Sequence, residues 1–136
     1  MELKSKKVKI IADENRVFDL LTNCNNIAKY MPADKIKQWE ATQDSCSFAI
    51  EGLGQIKINI QEQIPCTSVT YDIGNTMLKA VSIRFFISPT AENNCELEAE
   101  TKLDMPFTLK LLVTPSLQKF MDMMVDYVRI EAETIH

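Results

Sequence analysis

Histidine is nearly absent from this chain: the single residue of that type among 136 is His136. A serine or cysteine nucleophile that relies on an imidazole base therefore finds no partner in the body of the chain, and histidine-dependent hydrolysis is not expected. The four cysteines, Cys24, Cys46, Cys66 and Cys95, are widely spaced with no CxxC pair. Without clustered histidines they define neither a metal site nor a redox motif, so no metal and no other cofactor is expected. Glycine is scarce as well, at three residues. Gly52 and Gly54 form a GxG with no helix behind it to receive a phosphate, which leaves them as turn residues.

Three glycines and five prolines also leave little room for linker, and residues 1–136 read as one domain. No apolar run approaches the roughly 20 residues of a membrane span, and no apolar signal core follows the first lysines. Neither integral membrane contact nor export is expected, and dispersed thiols suit a reducing cytoplasm. A net charge of −4 opposes a phosphate backbone, so no nucleic-acid partner is expected. The basic run Lys4, Lys6, Lys7 and Lys9 reads as the solvated side of an edge strand, where lysines guard against strand addition. Nothing in the sequence sets the oligomeric state.

What the chain does have is periodicity. Val8 and Ile10 alternate with Lys7 and Lys9 in an opening strand, Lys4 to Ile11. Asp13 is a candidate N-cap for a short helix through Leu21, and Asn25 to Tyr30 gives a second short helix before Met31-Pro32. From Lys35 to Asp104 the period changes to two. A Gln43-Asp44 turn places Trp39 opposite Phe48 and Ala41 opposite Cys46. A loop over 52–54 sets Ile56, Ile58 and Ile60 against Ile50, Phe48 and Cys46. Val69, Tyr71 and Ile73 face inward before a Gly74-Asn75 turn. Val81, Ile83, Phe85 and Ile87 follow, with a loop from Pro89 to Asn94. Cys95, Leu97, Ala99, Thr101 and Leu103 then alternate with Glu96, Glu98, Glu100 and Lys102, the signature of an antiparallel sheet with one wet face.

After Met105-Pro106 the period becomes helical, with Leu109, Val113, Leu117, Phe120, Met124 and Tyr127 on one stripe. Pro115 predicts either a kink or a short first helix, the continuous one starting with Thr114 as N-cap. Sheet face and helix stripe can each be buried only against the other. The expected fold is α+β, a seven-stranded curved antiparallel sheet wrapped around a long carboxy-terminal helix, with two short helices between strands one and two.

The opening Val8-Lys9-Ile10 strand into Asp13 to Leu21, the Gly52-Leu53-Gly54 turn, Pro65 followed by Val69-Thr70-Tyr71, and the closing amphipathic helix together resemble the START-like, helix-grip (SRPBCC, polyketide cyclase-like) superfamily over nearly the whole chain. The resemblance implies a helix lying across a concave sheet, with the gap between them available to a small apolar molecule. It carries no catalytic motif, and no residue is assigned to catalysis.

The face shared by sheet and helix supplies the candidate ligand-binding residues Trp39, Phe48, Ile58, Tyr71, Ile83, Phe85, Thr101, Phe120, Met124 and Tyr127. Tyr71, Thr101 and Tyr127 are polar handles in an apolar lining, or core residues whose hydroxyls bond main chain. Met121, Met123 and Met124 suit a wall that adapts to apolar guests, and they equally suit gap-filling. Three readings remain: a binding or carrier domain for a small lipid- or polyketide-like ligand; a cyclase or dehydratase using Tyr71 or Tyr127; and a protein-interaction domain using an outward patch at Phe86.

Overall fold

The computed structural model describes residues 2–26, 36–50, 54–75, 81–103 and 106–134. Along the chain these form β1 (Glu2–Lys4), β2 (Val8–Ile10), α1 (Glu14–Leu21), β3 (Ile36–Ala41), β4 (Ser45–Ile50), β5 (Gly54–Ile64), β6 (Ser68–Asn75), β7 (Val81–Ala91), β8 (Asn94–Lys102) and α2 (Phe107–Glu133). The strands build one eight-stranded antiparallel sheet in the order β1-β8-β7-β6-β5-β4-β3, and β2 also pairs with β8.

The eighth strand arises because the opening strand is two. Lys4 lies opposite Glu100, yet Val8 lies opposite Leu97, so one extra residue is inserted between them. Strict alternation would send Leu3 and Val8 to opposite faces; the insertion turns both inward, and both are buried. Ser5 fills the break. Its N–H donates to the Ala99 carbonyl at 2.8 Å, and its hydroxyl accepts from the Ala99 N–H at 2.8 Å.

The β3–β4 hairpin closes as the Gln43-Asp44 turn predicts, with Ala41 opposite Cys46 and the Thr42 N–H on the Ser45 carbonyl at 2.8 Å. A bulge follows at Gln38, whose φ is 57°, and Trp39 stacks on Phe48 with ring centroids 5.7 Å apart. Between β4 and β5 the register differs from expectation by two residues. Phe48 faces Ile56, Cys46 faces Ile58, and Gly54 is already paired with Ile50. Registers two apart present the same inward residues, so the apolar alternation does not distinguish them, and Phe48 and Ile58 are both buried as expected.

Two expected turns are strand. Gly74 and Asn75 pair with Lys57 and Ile56; an added Cβ at Gly74 would meet nothing within 4 Å, so that glycine sits in extended backbone without a steric reason. Likewise β7 runs through Pro89 to Ala91, and the turn is confined to Glu92-Asn93, with Asn93 at φ 58°. Pro89 is accommodated by a register shift between itself and Ala91, the usual setting for a residue with no N–H to give.

Asp13 caps α1 as predicted, its carboxylate accepting from the Asn15 N–H at 2.7 Å. Each carbonyl of the last turn of α1 also has a partner. Thr22 serves Phe18 and Asp19, the Asn26 amide serves Leu20, and the Tyr71 hydroxyl donates to Leu21. This removes the usual deficit at a helix end. A 3₁₀ turn covers 24–26; the rest of the predicted second short helix lies outside the described residues.

The long helix α2 runs unbroken through Pro115, contrary to the predicted start at Thr114. Proline in a helix interior costs about 3 kcal/mol. Burial of Met121, Met124, Val125, Val128 and Ala132 on the carboxy-terminal half offsets that cost, at roughly 1.5–3 kcal/mol for each large side chain. Thr114 is no cap, and its hydroxyl is buried without a partner. The far end of α2 is held by Arg16, which donates to the carbonyls of Ala132 at 2.7 Å and of Glu131 and Thr134 at 3.1 Å.

Candidate functional site

The backbone of α2 runs close to β1, β2, β8 and α1. The apolar lining of the sheet falls into two populations by burial. Phe48, Ile58, Tyr71, Ile83, Phe85, Thr101, Met121 and Met124 are buried. Trp39, Ile56, Ile60, Ile73, Leu117 and Phe120 pack against that core and remain half-buried. This half-buried apolar set, contributed by β3, β5, β6 and α2, is the candidate site.

Chain order explains why these residues meet. Alternation along β4, β5 and β6 brings Phe48, Ile56, Ile58 and Ile73 to the same face, through the pairs Phe48–Ile56 and Ile58–Ile73. The bulge at Gln38 leaves Trp39 stacked on Phe48, at an interplanar angle of 22°. Tyr71 meets Phe85 edge to face, with centroids 5.3 Å apart, and together they floor the face.

The polar handles are mostly committed elsewhere. The Tyr71 hydroxyl donates to the Leu21 carbonyl, and the Thr101 hydroxyl to the Ser82 carbonyl at 2.6 Å. Tyr127 departs from its predicted inward position and is 40% exposed. The buried stripe is centred on Met121, Val125 and Val128, and at about 100° per residue Tyr127 falls more than a quarter turn from that centre. Phe86 lies on the outer face beside Arg84, as the alternation implies, without being fully exposed. It is half-buried, and the Arg84 guanidinium lies over its ring at 5.9 Å. The side chains of Leu109 and Val113, expected on the helix stripe, lie outside the described set.

Sequence spacing did not reveal the pairing of Cys24 with Cys46. The Cys24 N–H donates to the Gln43 carbonyl at 2.8 Å, which ties the turn after α1 to the β3–β4 hairpin and brings its thiol beside Cys46. A hydrogen bond from Cys46 holds the Cys24 thiol below its ordinary range. The Cys46 thiol is pushed up by that same bond, by burial and by its neighbour. Burial pushes Cys95 up to about 11, followed by the charges of Glu14 and Asp13. Raised thiols of this kind are protonated and unreactive near neutral pH.

A separate open cleft of about 490 Å³ lies outside α1, lined by Asp13, Asn15, Arg16, Asp19 and Leu20. Its lining is of mixed polarity, and Arg16 is occupied with the end of α2. Among the described residues no group of three or more histidine, cysteine, aspartate or glutamate side chains is placed to hold a metal ion. No helix among them is long and apolar enough to cross a membrane.

No protein-family model and no curated protein matches the chain. Solved structures do. The truncated norcoclaurine synthase from Thalictrum flavum superposes with a TM-score of 0.75 at 9% identity, covering 99% of this chain and 95% of that one. A START superfamily protein from Mycobacterium smegmatis gives 0.62 at 14%, covering 93% and 98%. A structure of the Aha1 dimer from Colwellia psychrerythraea gives 0.61 at 17%, covering 96% and 97%. At these identities the likeness is one of fold. With its antiparallel sheet, its order of elements and its long closing helix, the chain has the START-like, helix-grip fold.

Proposed function

We propose that residues 1–136 act as one binding or carrier domain for a small hydrophobic, lipid- or polyketide-like ligand held between α2 and the strands β3 to β6. The observation that carries this reading is the half-buried apolar set Trp39, Ile56, Ile60, Ile73, Leu117 and Phe120. Apolar side chains left partly wet on a concave face gain from a guest that removes them from water, at about 25 cal/mol per Å². Commitment of the Tyr71 and Thr101 hydroxyls to main-chain carbonyls favours binding over a cyclase or dehydratase. All four cysteines are free, which accords with a cytoplasmic location.

Trp39 is the only tryptophan in the chain, so its emission reports on this site alone. Titration with a medium-chain fatty acid and with an aromatic polyketide is expected to give a saturable change in that emission for at least one of them. Native mass spectrometry of protein purified from its host is expected to show an added small-molecule mass. A flat titration with both probes, together with a bare protein mass, would defeat the proposal.

A further inference from the structure

Two polar side chains on the inward stripe of α2 have no work in the fold. Among the described residues, Thr114 Oγ1 is the buried side-chain polar atom without a hydrogen-bond partner. Threonines at the helix ends bond the carbonyl four residues back, as Thr22 does to Phe18 at 3.0 Å and Thr134 to Ile130 at 2.6 Å. Thr114 makes no such bond. At about 100° per residue it falls about 20° from Met121, at the centre of the buried stripe.

Lys110 falls about 20° to the other side of Met121. It is half-buried, although Leu111 and Leu112 after it are exposed, which reverses the usual order of lysine and leucine. Among the described residues it forms no ion pair. The first acid of α2 is Asp122, and its carboxylate is taken by the Lys6 N–H and the Gln118 amide.

We propose that Lys110 and Thr114 together bind the carboxylate of an apolar monocarboxylic acid whose hydrocarbon lies along Leu117 and Phe120, an inference that rests on the carrier function proposed above. Residues four apart are neighbours on a helix, so an ammonium and a hydroxyl at these positions can each take one carboxylate oxygen. A neutral headgroup would leave the half-buried ammonium without a counter-charge. Phe107, one turn earlier and close to the same stripe, is exposed, so Lys110 stands at the rim and Thr114 inside it. From Thr114 to Phe120 the helix axis advances about 9 Å, room for a medium-length chain to lie against half-buried Leu117 and Phe120.

Parallel titrations with decanoate and 1-decanol, followed by Trp39 emission at neutral pH, test the headgroup separately from the chain. The intact protein is expected to bind decanoate at least tenfold more tightly than decanol. Lys110→Gln and Thr114→Val are each expected to weaken decanoate at least tenfold and to change decanol by less than twofold, and Lys110→Arg to keep the preference for the acid. Thr114→Val is expected to leave Tm unchanged or higher, because it deletes an unpaired hydroxyl and no bond. Equal affinity for acid and alcohol, or an acid preference that survives in both Lys110→Gln and Thr114→Val, overturns this assignment and leaves the carrier function standing. Failure of both probes to bind overturns the two together.

Discussion

Removing one oxygen atom from Tyr71 tests whether its hydroxyl serves the fold or a ligand. Tyr71 is 1% exposed, and its hydroxyl donates to the carbonyl of Leu21, the last residue of α1, itself 0% exposed. Tyr71→Phe keeps the ring, its edge-to-face packing on Phe85 and its place between β5 and β7. What it takes away is the partner of a buried carbonyl. A buried acceptor left without a donor costs about 1–3 kcal/mol. Taking about 2 kcal/mol and a urea m-value of about 2 kcal/mol per M, the unfolding midpoint is expected to fall by about 1 M at unchanged slope. Trp39 emission and far-ultraviolet circular dichroism provide two probes, whose coincident transitions check that unfolding is two-state. Ligand affinity, measured by the same tryptophan, is expected to stay within about twofold, since each 1.4 kcal/mol is a factor of ten. A midpoint shift below about 0.2 M would refute the structural role. A tenfold loss of affinity with stability intact would instead make Tyr71 a ligand contact.

Pro115→Ala restores the N–H missing from an otherwise continuous helix and should raise stability, by up to about 3 kcal/mol if the backbone relaxes fully. A lower Tm for that variant would mean that Pro115 is required by the packing around Thr114. The thiols predict a loss of stability at alkaline pH. Burial holds Cys95 near 11 in the folded chain, against an ordinary value of 9.0 once unfolded. The folded state therefore keeps a proton that the unfolded state releases. The stabilising contribution is fully present below pH 9 and disappears as the pH climbs through about 11. Between those limits the wild-type Tm is expected to fall further than that of Cys95→Ala, and parallel curves would contradict the assignment.

Most of the architecture was legible in residue order, because the two periods that define it are local. Cys95, Leu97, Ala99 and Thr101 alternate strictly and are all buried in β8, and Asp13 caps α1 as its position ahead of an apolar helical pattern implies. Inward residues in β4 and β5 were also correct although their partners were not. Parity is a property of each strand alone, whereas partnership is a property of two. Turn signals were weaker guides. Gly74 and Pro89 lie inside strands, since glycine tolerates extended backbone and proline is accepted where the register shifts.

The sequence by itself determined which side of each strand is apolar and that a long amphipathic helix follows the sheet. Only the tertiary structure decided how far that helix covers the sheet. Coverage depends on where the α2 axis lies, and Arg16 and the β1–β2 edge set that position through contacts more than a hundred residues apart in sequence. The tertiary packing also committed Tyr71 to Leu21, turned Tyr127 outward and left Phe107, Leu111 and Leu112 exposed. No pattern within the helix distinguishes an apolar side chain with a neighbour to bury it from one without.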